Sequence, residues 1–200
     1  HAVPVIYDGA HAFGVEVGGR PVTDWGDATM LSFNATKLLT TGEGGCLVFR
    51  DPALEAELRR WRRWGMLDDG VVTQPGLNGM MTEMQAALGL CNLEMLAAEC
   101  AAREQVVAAY RHAFAGRPDV CLCSEPPAGV TPALSYFVVR VPSAKRPAVL
   151  DALRRAQVLA KPYFHPLTSD FPCYRQCVGA TAANLPVATR VAQETLSLPL

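Results

Sequence analysis

An α/β fold in two parts is what this sequence predicts, and three observations carry that expectation. Half of the 200 residues are hydrophobic and only 18% are charged, a balance that supports a packed core and argues against disorder. Short continuous apolar runs at 3–7, 28–33 and 46–50 have the length of strands buried on both faces of a parallel sheet. Helical patterns with recognisable ends follow them, and a proline-rich stretch at 119–132 marks the best domain boundary. A chain this long forms one medium domain or a larger and a smaller one. The division falls between 118 and 119, with a small α/β domain from 119 to 200.

The first run ends at Asp8, and the second and third flank a polar loop. Asp51-Pro52 then opens a helix with a capping carboxylate and a first-turn proline, and Gly65 closes it. Leu54, Leu58 and Trp61 fall on one face of that helix. Arg59, Arg60, Arg62 and Arg63 crowd its end, where the helix dipole favours cations whether or not a ligand is present. Thr82-Glu83-Met84-Gln85 reads as a capping box opening a long helix to about residue 115. Its apolar stripe is Met84, Ala87, Leu88, Cys91 and Met95, and Gly116-Arg117-Pro118 ends it. After the irregular stretch come a strand at 134–141, a helix at 145–157, a strand at 158–163 and a last helix from Pro186. There is no internal repeat.

The bulk properties exclude several classes. A formal net charge of −1 leaves no basic footprint for nucleic acid. No apolar run reaches membrane-spanning length, and His1-Ala2-Val3-Pro4 lacks the basic and apolar regions of a signal peptide. The seven cysteines are odd in number and include no CxxC, and Cys121-Leu122-Cys123 is too tight for a zinc knuckle. They read as thiols of a reducing cytoplasm, with neither a disulfide framework nor a metal site. The chain starts without methionine, directly before an expected strand, and reads as a fragment.

The chemistry concentrates in Ser32-Phe33-Asn34-Ala35-Thr36-Lys37, followed by Gly42-Glu43-Gly44-Gly45. This puts one lysine in a short polar loop between two apolar runs. Asp8, with His11 three residues on, lies just past the carboxyl end of a strand, where open α/β sheets place ligand groups. A lysine with a remote aspartate is what pyridoxal phosphate (PLP) chemistry needs. The lysine holds the aldehyde as a Schiff base, and the carboxylate keeps the pyridine nitrogen protonated. Partial burial of Lys37 would depress its pKa and free the amine for attack. The blander readings are a solvated loop lysine and an aspartate that caps a turn. The glycines are not a nucleotide loop, since neither GK[ST] nor GxGxxG is present.

These motifs resemble the active-site region of the DegT/DnrJ/EryC1/StrS family of PLP-dependent sugar aminotransferases, and the resemblance covers nearly the whole chain. It implies a fold-type I aminotransferase. Residues 1–118 would be the later portion of the PLP-binding large domain with a long connecting helix, and 119–200 the small domain. It also implies that Lys37 carries the cofactor, Asp8 pairs with its pyridinium nitrogen, His11 lies beside the ring and Ser32 binds the phosphate. Asn78 would reach the phosphate of a neighbouring subunit, which makes the protein a homodimer with shared sites. Alternatively, Asn78 is an ordinary turn residue. Family chains more often have alanine at the position of Gly9, glutamate at Tyr7 and histidine at Asn34. They also carry an aromatic and a basic residue where Gly79 and Met80 stand here. Tyr163-Phe164-His165-Pro166-Leu167 is similar to the substrate-facing segment of the small domain, with Tyr163 and His165 as candidate sugar contacts or His165 as a structural residue. The pattern is closest to the branch acting on dTDP-linked 4-keto-6-deoxyhexoses with L-glutamate as donor. The sugar-dehydrating branch replaces the lysine with histidine, which Lys37 argues against. Aminocyclitol and aminobenzoate members share the motifs, and a non-catalytic fragment is the remaining alternative. Without the N-terminal segment of family chains, these residues alone are expected to be inactive.

Overall fold

The computed structural model describes residues 3–123 and 125–200. They form two compact units. One holds the chain up to Glu99 with Pro127–Ser135, and the other holds Cys100–Pro126 with Tyr136–Leu200.

The first unit is built on three strands, β1 (Ile6–Asp8), a central strand Ala28–Ser32 and its partner Gly45–Phe49. Between them in sequence lie β2 (Glu16–Val17) and β3 (Arg20–Pro21), a small hairpin whose signal is the two-residue turn Gly18-Gly19, both at positive φ. The central strand is therefore β4 and its partner β5. β1 and β4 run parallel with Asp8 opposite Met30, whereas β4 and β5 are antiparallel with Ser32 opposite Gly45. The all-parallel, doubly buried sheet expected from the apolar runs is thus corrected. Among the described residues β1 has one strand neighbour, and Val3 and Ile6 are 70% and 72% exposed.

The first helix begins where expected but in two steps. Asp51 accepts the Ala53 N–H at 2.9 Å, a 3-10 turn covers Pro52–Leu54, and α1 proper spans Glu55–Arg62. Helix α2 (Glu83–Phe114) opens on the expected box, with the Thr82 N–H donating to Gln85 Oε1 at 2.8 Å and the Gln85 N–H to Thr82 Oγ1 at 3.3 Å. Its apolar stripe does not face inward: Met84 and Met95 are 81% and 58% exposed. The side that packs is polar and small, with Gln85, Gly89 and Asn92 one helical turn apart. Gly89 is buried, and a Cβ there would stand 2.8 Å from Thr41 Cγ2.

In the second unit β6 (Cys121–Leu122), a strand at Phe137–Arg140 and one at Thr195–Leu198 form an antiparallel sheet, while β7 (Val130–Thr131) pairs with β2 in the first unit's own hairpin sheet. These two are β8 and β9. The stretch 119–132 therefore contains two-residue strands, too short to leave a periodic signal. Phe137, Val139, Leu196 and Leu198 are buried on β8 and β9, and the ring of Tyr110 lies 4.9 Å from that of Phe137. Helices α3 (Arg146–Arg155) and α4 (Pro186–Glu194) match the expected positions. The strand expected at 158–163 reduces to one bridge, Lys161 to Ser197, while Leu159 is 77% exposed. That bridge lies along β9, every residue of which is buried and which the helix pattern from Pro186 had masked. Arg140 and Glu194 tie β8 to the end of α4, with Nη2 to Oε2 at 2.6 Å and Nε to Oε2 at 2.9 Å. All seven cysteines are free thiols.

Candidate active site

Because β1 and β4 are parallel, their carboxyl ends lie at the same sheet edge, with Asp8 ending one strand and Ser32 the other. The chain can approach closely there only because residue 9 is glycine. A Cβ on Gly9 would lie 2.8 Å from both Met30 O and Thr29 Cγ2. Alanine, which the resemblance makes common at this position, would require β4 to shift. Asp8 is exposed and its Oδ1 accepts the Ala10 N–H at 3.0 Å, so the carboxylate does cap the turn that carries His11. That bond uses one of two carboxylate oxygens.

His11 reports what surrounds it. Burial pushes its imidazole below the ordinary value of 6.5, the Lys37 ammonium pushes the same way, and the Asp8 carboxylate opposes both. Both charges are therefore within electrostatic reach of the His11 imidazole. Lys37 itself is half-buried, as the flanking apolar runs suggest.

The loop that presents Lys37 is closely hydrogen-bonded. It is closed at its base by the Phe33 N–H to Gly44 O at 2.8 Å and the Thr41 N–H to Phe33 O at 2.9 Å. Leu39 and Thr41 plug it at 4% and 5% exposure. Helix α2 grips the returning leg: Asn92 Nδ2 donates to Thr40 O at 2.8 Å and Gln85 Nε2 to Glu43 O at 3.0 Å. The glycine cluster has a local cause. Gly44 has φ +153 with no room for a Cβ beside the Thr41 hydroxyl, and a Cβ on Gly45 would stand 2.7 Å from Leu31 O. The close approach these glycines permit is to the hairpin's own backbone. Gln85 and Asn92 were not singled out as loop anchors by sequence reasoning. Their spacing with Gly89 on one helix face is the signal that could have found them.

Asn78 lies beyond α1 on an exposed extended return, its backbone bridged to Arg63. The Leu77 N–H donates to Trp61 O at 2.7 Å and the Gly79 N–H to Arg62 O at 2.9 Å. Gly65 and Gly76 make this crossing possible, since a Cβ on Gly76 would run into Gly65 N and the Trp64 carbonyl carbon.

In the second unit Tyr163 is half-buried, its ring 5.3 Å from that of Tyr136 and 4.3 Å from that of Phe164, and it lines an apolar cavity of about 360 Å³ with Tyr136, Val138 and Leu167. Burial, and then the neighbouring Tyr136, raise its phenol above the ordinary value. The Lys161 Nζ stands 5.8 Å over the same ring, and His165 is exposed.

A family profile for the DegT/DnrJ/EryC1/StrS aminotransferase family matches residues 1–200. The chain is 31% identical to a dTDP-4-amino-4,6-dideoxy-D-glucose transaminase of Escherichia coli, an alignment covering 100% of this chain and 55% of that protein. Among solved structures it matches DesV of S. venezuelae, determined with a ketimine intermediate, at TM-score 0.90 and 27% identity, covering 100% of this chain and 53% of the other. DesI, solved in the presence of its TDP-sugar product, matches at TM-score 0.86 and 31% identity over 100% and 51%. The chain spans about half the length of the relatives it matches. With a lysine-bearing hairpin loop and a carboxylate at one sheet edge, and a family match running from the first residue to the last, this chain belongs to the DegT/DnrJ/EryC1/StrS family of PLP-dependent aminotransferases.

Proposed function

We propose that the protein containing these residues transfers an amino group to a nucleotide-linked 4-keto-6-deoxyhexose, with L-glutamate as donor, in the cytoplasm. The observation that supports the reading is that Asp8 and Ser32 end the parallel strands β1 and β4 at one sheet edge, with Lys37 on the hydrogen-bonded loop that follows β4. The residues fit PLP by chemistry: one amine, one carboxylate, one imidazole and one hydroxyl, Ser32, on one parallel strand pair and the loop that follows it. The cofactor, when bound, supplies an electron sink that lets the substrate carbon lose a proton.

Each residue then has a task. The Lys37 Nζ would hold the cofactor aldehyde and serve as the base that moves the proton at the substrate carbon. Asp8 holds the proton on the pyridine nitrogen. His11, whose imidazole partial burial and the Lys37 ammonium push below its ordinary value, would lie beside the ring. Ser32 binds the phosphate, and Asn78 completes that grip from a second subunit of a homodimer. Residues 1–118 act as the later part of the cofactor-binding domain and 119–200 as the small domain, with Tyr163 and His165 facing the sugar. The names of the E. coli and DesI relatives support the nucleotide-sugar class.

The test uses full-length protein. Borohydride reduction in the presence of PLP, followed by peptide mapping, should place the adduct on Lys37. Glutamate with a dTDP-4-keto-6-deoxyhexose should yield 2-oxoglutarate and the 4-amino sugar. An adduct on another lysine, or no glutamate-dependent amination, would refute the reading.

A further inference from the structure

We propose that Asn34 is a positioning residue for the lysine loop, acting through a side-chain clamp to Glu43. The proposal rests on the PLP reading above for its consequence, though not for its geometry. Asn34 makes five hydrogen bonds that span the loop. Its own N–H donates to Ser32 Oγ at 3.3 Å, and its carbonyl accepts the Lys37 N–H at 2.9 Å. Its side-chain Oδ1 accepts from the Thr36 N–H at 3.1 Å and the Thr36 hydroxyl at 3.0 Å. Its Nδ2 donates to Glu43 Oε1 at 2.8 Å, across the mouth of the loop.

The other half of the clamp is fixed independently. The Glu43 carbonyl accepts from the Thr41 hydroxyl at 2.7 Å and from Gln85 Nε2 of α2 at 3.0 Å, so its carboxylate projects from a backbone that is already anchored. The outgoing leg carries Ser32 and Lys37. It borrows that rigidity through Asn34. The amide performs both parts here, its oxygen accepting from Thr36 while its nitrogen donates to a carboxylate. An aspartate here would accept from Thr36 but oppose Glu43 with a like charge. The reactive amine and the candidate phosphate hydroxyl are thereby held in one frame before any ligand arrives, which is the arrangement that removes ordering from the binding step.

The experiment compares full-length wild type, Asn34→Asp, Glu43→Gln and the double variant. Glu43→Gln alone keeps an acceptor for Asn34 and should bind PLP as wild type does. Asn34→Asp should weaken PLP binding to apo protein about 10- to 100-fold, the scale of a small misplacement of a reacting group. The double variant should recover most of the loss, because the introduced glutamine amide can donate to the introduced carboxylate. Cofactor-free protein gives a second readout: exchange of the Lys37 backbone amide should accelerate in Asn34→Asp and slow again in the double variant. Wild-type PLP affinity and wild-type exchange in Asn34→Asp would overturn the proposal, as would a double variant that recovers nothing. Should Asn34→Asp not fold, Glu43→Ala serves instead, since it removes the acceptor and leaves Asn34 in place. Accelerated Lys37 amide exchange supports the clamp there, and unchanged exchange overturns it. If wild type forms no adduct at Lys37, the PLP reading fails, while the exchange data still decide the clamp.

Discussion

Replacing Asp8 with asparagine separates the turn cap that the structure shows from the cofactor role proposed above. The carboxylate caps the turn through the Ala10 N–H at 3.0 Å, and its charge reaches the His11 imidazole. Asparagine keeps an oxygen for the Ala10 bond and loses only the charge. Because the position is exposed, Asp8→Asn should change folding stability by no more than about 0.5 kcal/mol. Asp8→Ala loses the bond as well and should cost about 0.5–1.5 kcal/mol. The rate should behave differently. Losing the charge that holds a proton on the pyridine nitrogen removes electrostatic stabilisation of about 3–4 kcal/mol, or roughly 10²–10³-fold in turnover. The measurements are kcat for glutamate-dependent amination and denaturant melts, both on full-length protein. If Asp8→Asn turns over within a few-fold of wild type while Asp8→Ala is less stable, the residue is a turn cap and nothing more.

Other outcomes follow from the same geometry. His11 binds its proton less tightly when folded, so between pH 6.5 and its lower folded value the unfolded chain holds more protons. Its share of stability is therefore complete above 6.5 and falls as pH drops through that window. NMR titration of the cofactor-free protein should show His11 moving up in Lys37→Met and further down in Asp8→Asn. Shifts of the opposite sign would contradict that electrostatic reach. Phe137→Ala removes a ring that is 1% exposed and lies 4.9 Å from that of Tyr110, and should cost about 3–5 kcal/mol. A loss below about 1 kcal/mol in denaturant melts would contradict the core of the second unit. Gly76→Ala has no room against Gly65 and Trp64 and should cost about 1–3 kcal/mol, with faster exchange of the Leu77 and Gly79 amides. The isolated 200-residue chain, with Ile6 and Met84 at 72% and 81% exposure, should self-associate and show no turnover, and a glutamate-dependent rate from it would refute this.

The sequence by itself determined the family, which the profile match over residues 1–200 bears out. Motif residues such as Asp8, Ser32 and Lys37 are read from type and spacing, because catalysis constrains identity directly. It also located α1, α2, α3 and α4, since caps, prolines and helical periodicity are local signals. Tertiary structure decided which faces those elements use. An apolar run such as 3–7 looks the same whether its strand has one neighbour or two, so the exposure of Ile6 was not legible. On α2 the apolar stripe led the reading to the wrong side: the Gln85, Gly89 and Asn92 face grips the lysine loop because backbone carbonyls there need donors. β9 was missed for a related reason, since a strand following a helix without a turn residue shows its nature only by pairing with β8. The Asn34–Glu43 bond joins residues nine apart through a turn, and no one-dimensional pattern encodes it. Local chemistry is written in the chain, whereas partnerships between segments exist only once the backbone has brought them within hydrogen-bonding distance.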